Sequence, residues 1–405
     1  MLDISFLREN ENTVARLLAK RDANVDLKNL FELDGAKRQA LVEVEKLRHD
    51  LNEASKKQDK AAGKLIKETL KKAEQVLHEA SEALYAVMVQ MNNIPHESVP
   101  SSEDGTKTID TWGELPKFDF KPKDHLELGQ ALDVIDIERA VKISGARFAM
   151  LKNELVDLEF ALVGWVFDKL AKKGFTKILP PMLVREQAMF GTGFFPAEKS
   201  EIYKTDQDDL YLIGTAEVPL ASYHAGEKID VAKKPMKYAG FSSSFRREAG
   251  AYGKDTRGII RLHQFDKVEM FVYADPQNSW EEFENLAAIS KEIFEELRLP
   301  YRQVVINAGE LGAPNAKKYD FEIWIPSQHE YRELASCSHD TDFQARRLNI
   351  KTTDGRFVHT LNDTALAIGR TIVAIVENYQ KENGDIEMPS VLHPYLSFKT
   401  ITKKA

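Results

Sequence analysis

Cysteine is nearly missing from this chain: Cys337 stands alone in 405 residues. One thiol excludes an internal disulfide and any zinc cage built from cysteines. No Gly-x-x-x-x-Gly-Lys-Ser/Thr run occurs, which excludes a P-loop, and Gly191-Thr-Gly193 stands without the third glycine of a dinucleotide fingerprint. The nucleophile elbow Gly-x-Ser-x-Gly is absent too. The 10 histidines are scattered, with no pair at the helical spacing of metal ligands. Long apolar runs are also lacking. Leu158 to Phe167 is the nearest approach and is far short of a membrane span. The opening Met1-Leu-Asp-Ile-Ser has neither the basic nor the apolar region of a signal peptide. These absences together imply a soluble, cytoplasmic protein with no membrane partner.

Excess positive charge is lacking as well. The net charge is -8, so any contact with nucleic acid must come from a local basic patch. A length of 405 residues implies two or three domains, and 43% hydrophobic residues suffice for a sizeable core.

What is present begins with heptads. After a short mixed-charge helix over residues 1 to about 25, Leu33, Ala40, Leu47 and Ala54 recur every seven residues. Leu30, Val44 and Leu51 form the partner row, broken by Lys37. The pattern resumes as Ile66, Ala73, Ala80, Val87 and Ile94 with Leu70, Leu77, Leu84 and Met91. Such seams build coiled coils. Residues 58–64, containing Gly63, are the expected turn, so the two helices over about 27–94 should run antiparallel, each roughly 40 Å long. Lys56, Lys57, Lys60, Lys64, Lys67, Lys71 and Lys72 crowd the tip against only Asp59 and Glu68. A basic tip suits a polyanion; a solvated end of a coiled coil has the same composition.

The stretch from Asn92 to Gly105 is rich in Pro, Ser, Asn and Gly and reads as a linker. This divides the chain into residues 1–105 and 106–405. In the second part helical patterns dominate Ala131 to Lys173, with Leu151, Leu155, Leu158 and Leu162 on one face. Short strands follow at Asp209–Ile213, Lys267–Tyr273, Asp320–Ile325 and Tyr331–Ala335, and a last helix is expected over about Thr364–Gln380. This mixture predicts an α+β domain around an antiparallel sheet.

Two runs carry the chemistry. Phe245-Arg246-Arg247-Glu248 ends a strand, a charged loop containing Arg257 follows, and Ile259 to Tyr273 reads as a long return strand. The second run is His359 to Arg370. A guanidinium cannot lose its proton and, on a rigid element, suits phosphate or carboxylate. Phe265 is a candidate for stacking on a planar base. Glu333 and Ser336 offer hard oxygens for Mg²⁺, on one strand face only if a local kink re-aims one of them. Thr215 and Glu217 could accept an ammonium group, with Glu269 completing a polar pocket. Taken singly, Glu333 with Ser336 and the Thr215, Glu217 and Glu269 group are read more economically as structural, a buried glutamate paired with an arginine, whereas for the arginine hairpin the solvated-surface reading is the weaker one.

In order along the chain, Gly214 to Pro219, Phe245 to Gly250, Asp255 to Gly258, His263 to Met270, Tyr331 to Glu333, Asp342 to Arg347 and His359 to Asn362 closely resemble the bacterial-type seryl-tRNA synthetases, class II aminoacyl-tRNA synthetases. The resemblance covers the chain from Met1 to Leu396. It implies a class II catalytic domain behind a tRNA-binding arm, and a serine–tRNA ligase that forms seryl-adenylate from L-serine and ATP and charges tRNA(Ser), with tRNA(Sec) a further candidate. It assigns Arg246, Glu248 and Arg370 to catalysis. Thr215, Ala216, Glu217, Arg246, Glu269 and Thr364 fall on serine-binding positions. Arg246, Arg247, Glu248, Phe265, Glu333, Leu334, Ala335, Ser336 and Arg370 fall on ATP positions, with Glu333 and Ser336 on Mg²⁺ and the tip lysines on tRNA. Pro181 matches a dimer-interface proline, implying a homodimer. Zinc is not expected, because Cys337 is the only cysteine.

The chain departs from the bacterial pattern at Asn362-Asp363-Thr364-Ala365, where Asn-Gly-Ser-Gly is usual, and at Leu334-Ala335, where Ile-Ser is usual. Thr364 keeps the hydroxyl, and Asp363 is expected beside the start of the last helix, where a negative charge is favoured. Two other functions compete: a ligase that loads a carrier protein, for which the long arm is superfluous, and a non-catalytic coiled-coil adaptor, against which the intact Arg246, Glu248, Glu333 and Arg370 stand.

Overall fold

The structure is a computed structural model that describes residues 1–21, 25–248 and 258–403. It falls into two compact units, Met1–Ile94 and Pro95–Ala405. In the first, short helices α1 (Ile4–Glu9) and α2 (Glu11–Ala19) precede two long ones, α3 (Leu27–Lys56) and α4 (Lys60–Gln90). Helices of 30 and 31 residues span about 45 Å each. Of the expected heptad seam Leu30, Val44, Leu47, Ala54 and Leu84 are buried and Leu33, Ala40, Leu51, Ile66, Leu70 and Leu77 half-buried, while Met91 and Ile94 lie beyond the end of α4. Buried Asp34 interrupts the seam and is held by Arg8 at 2.5 Å and Arg38 at 2.9 Å.

The turn is tighter than residues 58–64. Gln58 takes a left-handed φ of 55°, and Asp59 caps α4 by accepting from the Ala62 amide at 3.0 Å. An aspartate cap favours a helix start at the next residue, and Gly63 lies inside α4 and not in the turn.

The second unit is built on a sheet of eight strands among the described residues. In chain order these are β1 (Lys107–Trp112), β2 (Thr176–Ile178), β3 (Met236–Phe245), β4 (Gln264–Ala274), β5 (Tyr301–Val305), β6 (Lys317–Ile325), β7 (Glu330–His339) and β8 (His359–Ala367). The spatial order is β1-β5-β6-β7-β8-β4-β3-β2, antiparallel throughout except for the parallel edge pair β2–β3. Helices α5 (His125–Ala131), α6 (Ile137–Ser144), α7 (Glu154–Lys172), α8 (Glu186–Thr192), α9 (Glu217–Ser222), α10 (Ser279–Glu296), α11 (Phe343–Leu348) and α12 (Ile368–Asn378) complete it.

Strand periodicity sorts the core from the site. In β4 the even residues Val268, Met270 and Val272 enter the main core with α7, α10 and α12. Odd residues Phe265, Lys267 and Glu269 take the other face.

Three expected boundaries move. Leu151 lies in a two-residue strand, Met150–Leu151, and the helix carrying Leu155, Leu158 and Leu162 starts after Asn153. The return strand starts at Gln264, and Ile259 to Arg261 form bends. The last helix starts at Ile368, because Thr364 to Ala367 continue β8. The β-branched and apolar residues of this stretch have a strand to pair with: Thr364 sits opposite Glu269 and Leu366 opposite Val268. Asp363 is therefore mid-strand on the face away from Glu269, fully buried against α10, where Ser290 donates to it at 2.7 Å. Burial pushes its carboxyl far above the usual range, so the expected charge beside a helix N-terminus does not arise.

Candidate active site

A cavity of about 470 Å³ opens on the polar face of the sheet. At one end β8 presents Asn362 and Thr364, with Glu269 of β4 buried behind them. The Asn362 amide donates to Glu269 Oε1 at 3.0 Å and, more weakly, to Glu217 Oε2 at 3.4 Å, so one side chain bridges two carboxylates. Thr364 Oγ1 stands 3.4 Å from Glu269 Oε2, and Lys267 Nζ lies 2.5 Å from that same oxygen. Glu217 opens α9, where the Glu217 amide donates to Thr215 Oγ1 at 3.2 Å. Its Oε1 accepts from Gln344 of α11 at 2.8 Å. Burial, then Asp340 and Glu269 nearby, push the Glu217 carboxyl up to about 8. Two neighbouring carboxyl groups set among the Asn362, Gln344 and Thr364 side chains form a receptor for a small group carrying an ammonium and a hydroxyl.

Arg246 leaves the end of β3. Its Nε donates to the Gly214 carbonyl at 3.3 Å, and its guanidinium sits 5.4 Å from the centre of the Phe265 ring. Glu248 follows with a left-handed φ of 51° and accepts from Arg261 at 2.7 Å. Arg370, in the first turn of α12, donates to the carbonyls of Glu333 at 2.7 Å and Ile260 at 3.2 Å. Its guanidinium is 3.8 Å from the Glu333 carboxylate. Fixed cations and an open aromatic face on one wall suit a nucleotide and its phosphates.

The kink required of Glu333 and Ser336 is a β-bulge. Phe321 pairs with Ala335 while Glu322 pairs with Glu333, so Leu334 is the extra residue and both polar side chains reach the cavity. Ser336 Oγ donates to Asp320 Oδ1 at 2.7 Å, and Lys318 Nζ lies 3.3 Å from the same oxygen. Desolvation opposes ionisation of Glu333, but Arg370, Lys318 and Arg246 outweigh it and hold its carboxyl below the usual range. Burial lifts Asp320 to about 6 although Lys318 opposes it.

Among the described residues no three carboxylate, histidine or thiol groups gather into a metal cage. Mg²⁺ commonly takes one or two protein oxygens and fills its shell with phosphate and water. Glu333, half exposed to the cavity, with the Ser336 oxygen beside it, fits that demand.

Most of the expected residues therefore meet. Thr215, Glu217, Arg246, Glu248, Phe265, Glu333, Leu334, Ser336, Thr364 and Arg370 line the cavity, and Glu269 is reached through Asn362. Arg247 turns the other way, donating to the Ile202 carbonyl at 3.2 Å and stacking 4.8 Å from the Tyr203 ring. Ala216 and Ala335 are buried in apolar clusters. Arg257 lies outside the described residues. Sequence reasoning passed over Asn362, Lys267, Gln344 and Lys318 as site residues. Two of them carried a usable signal: Lys267 alternates with Phe265 and Glu269, and Lys318 with Asp320. In the other unit Lys56, Lys57, Lys60, Lys64, Lys67, Lys71 and Lys72 are all exposed, with Lys56 paired to Glu53 at 2.7 Å.

Residues 1–95 match the family model for the seryl-tRNA synthetase N-terminal domain, and residues 200–379 that for the class II tRNA synthetase core domain of the G, H, P, S and T enzymes. The chain is 41% identical to the serine–tRNA ligase of Desulfitobacterium hafniense (strain Y51), over 99% of its own length and 100% of that protein's. Among solved structures, seryl-tRNA synthetase from Pyrococcus horikoshii complexed with ATP superposes with a TM-score of 0.93 at 40% identity, covering 100% of both chains. The cytoplasmic serine–tRNA ligase from Naegleria fowleri in complex with AMP gives 0.93 at 35% identity, covering 100% of this chain and 99% of that one.

Proposed function

The chain belongs to the seryl-tRNA synthetases, serine–tRNA ligases of the class II aminoacyl-tRNA synthetases, and from that premise we propose how its residues divide the work. ATP lies along the wall made by Phe265, Arg246 and Arg370, its base on Phe265 and its phosphates between the two guanidinium groups. Serine sits at the other end, its ammonium on Glu217 and Thr215 and its hydroxyl on Glu269 and Thr364. Arg246 lies between the two substrates and holds both the serine carboxylate and the α-phosphate. A carboxylate oxygen of serine attacks the α-phosphorus, the bond to the β-phosphate oxygen breaks, and pyrophosphate leaves seryl-adenylate behind. A 3′-terminal ribose hydroxyl of tRNA(Ser) then attacks the carbonyl carbon, AMP departs, and the hydroxyl proton passes to solvent.

Neither step needs a protein nucleophile, because the serine carboxylate is already an anion. What the protein supplies is position and fixed positive charge. Glu333 and Ser336 would hold Mg²⁺, which neutralises phosphate charge.

The observation that carries this reading is the convergence in one cavity of a two-carboxylate receptor bridged by Asn362 and a wall bearing Arg246, Phe265 and Arg370. Labelled pyrophosphate exchange into ATP with each amino acid tests it. Serine alone should support exchange, and Arg246→Ala should abolish it while leaving the melting temperature near that of the wild type. Exchange by that variant at near wild-type rate overturns the role of Arg246. Alanine should fail because a methyl group cannot make the hydrogen bonds that the serine hydroxyl makes with Glu269 and Thr364.

The exposed lysines at the α3–α4 tip are proposed to meet the tRNA. Replacing Lys57, Lys60, Lys64 and Lys67 by Ala should lower charging and its salt dependence while exchange, which needs no tRNA, stays intact. Charging assays with tRNA(Ser) and tRNA(Sec) transcripts decide whether both are acceptors. We assign the homodimer interface to the apolar surface of α7 and the segment after β2, where Phe160 is 67% and Leu179 77% exposed and Pro181 follows. Phe160→Glu should then yield monomers in analytical ultracentrifugation.

A further inference from the structure

Lys318 has no part in the scheme above, yet its place is unusual. It sits on β6 two residues before Asp320, so both point to the cavity face. Across the sheet, Lys318 faces Ser338 and Asp320 faces Ser336, and the bulge at Leu334 adds Glu333 to the same surface. The side chain is only 21% exposed, and its ammonium rests 3.3 Å from Asp320 Oδ1. That oxygen already accepts from Ser336 at 2.7 Å. Asp320 thus keeps one hydrogen bond, from the hydroxyl, when the lysine is elsewhere. Glu333 feels the positive charge of both Arg370, 3.8 Å away, and Lys318.

An ammonium amid the oxygens that suit Mg²⁺ has a consequence for a polyphosphate. A nucleoside triphosphate brings about four negative charges, more than two guanidinium groups can offset. Lysine is a point charge on a flexible four-carbon stem with three donors, free to exchange one anionic partner for another. Arg246 and Arg370, by contrast, are tied to the backbone carbonyls of Gly214, Ile260 and Glu333.

We propose that Lys318 is a third cation of the nucleotide site, contacting the polyphosphate of ATP and supplying part of the neutralisation otherwise left to divalent metal. The inference rests on the ATP site proposed above. In the empty cavity Asp320 is the counter-ion of Lys318. When phosphate enters, the ammonium turns to it, and Ser336 keeps Asp320 hydrogen-bonded.

The alternative is that Lys318 only balances the charge of Asp320. Metal dependence separates the two. ATP binding is measured by calorimetry on the full chain, in EDTA and at saturating Mg²⁺, for the wild type, Lys318→Met, Lys318→Arg and the double variant Lys318→Met/Asp320→Asn. Wild type should bind ATP in EDTA. Lys318→Met should lose about tenfold or more there, the worth of a charge-assisted hydrogen bond. It should also need more Mg²⁺ for half-maximal pyrophosphate exchange, with serine affinity unchanged. Lys318→Arg should keep most of the metal-free binding. The double variant should stay as weak as Lys318→Met and should keep the wild-type fold by circular dichroism, which separates lost binding from a misfolded site. Equal ATP affinity of Lys318→Met and wild type in EDTA overturns the proposal, as does full recovery in the double variant, which would assign the lysine to Asp320 alone. Failure of the unmutated protein to exchange pyrophosphate with serine instead sinks the ATP site itself.

Discussion

At the scale of single residues, Glu217 decides how the amino acid is taken up. Its carboxyl is pushed up to about 8 by burial and by the neighbouring Asp340 and Glu269, so in the empty cavity it is mostly neutral at pH 7. An ammonium ion needs the carboxylate. Binding therefore has to remove a proton, and the apparent affinity is reduced by the fraction of protein already ionised. We expect serine affinity to rise about tenfold between pH 6.5 and 8, measured as the serine KM in pyrophosphate exchange or by calorimetry. Glu217→Gln should bind serine weakly and lose this slope. A flat profile in the wild type would show that Glu217 is already charged before serine arrives. Asn362 is the reason the two carboxylates tolerate each other: its amide donates to both. Asn362→Asp replaces the donor with a third acceptor and should weaken serine far more than ATP, which separate binding isotherms would show. None of this coupling was legible in the sequence. Thr215, Glu217 and Glu269 could be read as a polar pocket from their residue types, Thr364 stood out only through family resemblance, and the amide between them did not stand out at all, since spacing along a chain does not say which strands become neighbours.

At the scale of elements, the legible and the illegible divide along local chemistry. The heptads gave α3 and α4 because a repeating apolar seam has one compact solution. The turn was misplaced because a glycine was weighed above an aspartate: Asp59 caps the helix, and Gly63 is carried within its second turn. This correction has a testable consequence. A Cβ at Gly63 meets nothing within 4 Å and the residue has no positive φ. Gly63→Ala should therefore stabilise α4 by about 0.5–1 kcal/mol, seen as slower amide exchange in its first turns. Faster exchange would mean that the glycine is needed for its conformational freedom. The start of the last helix was misread for a different reason. Thr364 to Ala367 fit a helical stripe in isolation, but β4 offers them a partner strand, and pairing wins over a period that only four residues support. The bulge at Leu334 was legible as a requirement, since Glu333 and Ser336 could share a face only through a kink. Its location followed from no sequence signal and is fixed by the register of β6 against β7.

For the whole molecule, the same burial that builds the site should shape stability against pH. Glu159 is pushed up to about 8 by burial and by Asp266, Glu217 to about 8 and Asp340 to about 7. In the unfolded chain these groups ionise near pH 4. Between pH 4 and their folded values the native state holds more protons than the unfolded one, so stability falls as pH rises through that window. The histidines act in the opposite sense. Burial lowers His339 well below its usual value and lowers His359 as well, so the unfolded chain takes up protons there below about pH 6.5 and stability rises with pH up to that point. Paired surface carboxylates such as Asp354, held down at about 2 by Arg356, are ionised in both states above pH 5 and contribute no slope. The two opposing slopes overlap below pH 6.5, and only the carboxyl slope survives above it. The ligand-free protein should therefore lose melting temperature steadily from pH 7 to pH 8.5, and Glu159→Gln, which cannot ionise, should flatten part of that loss. Serine with ATP should flatten it further, because an ammonium on Glu217 makes the ionised carboxylate the favoured buried form. A melting temperature that instead climbs across this range, with or without substrates, would mean that these carboxyls are charged in the native protein, and that the cavity is far wetter than its packing implies.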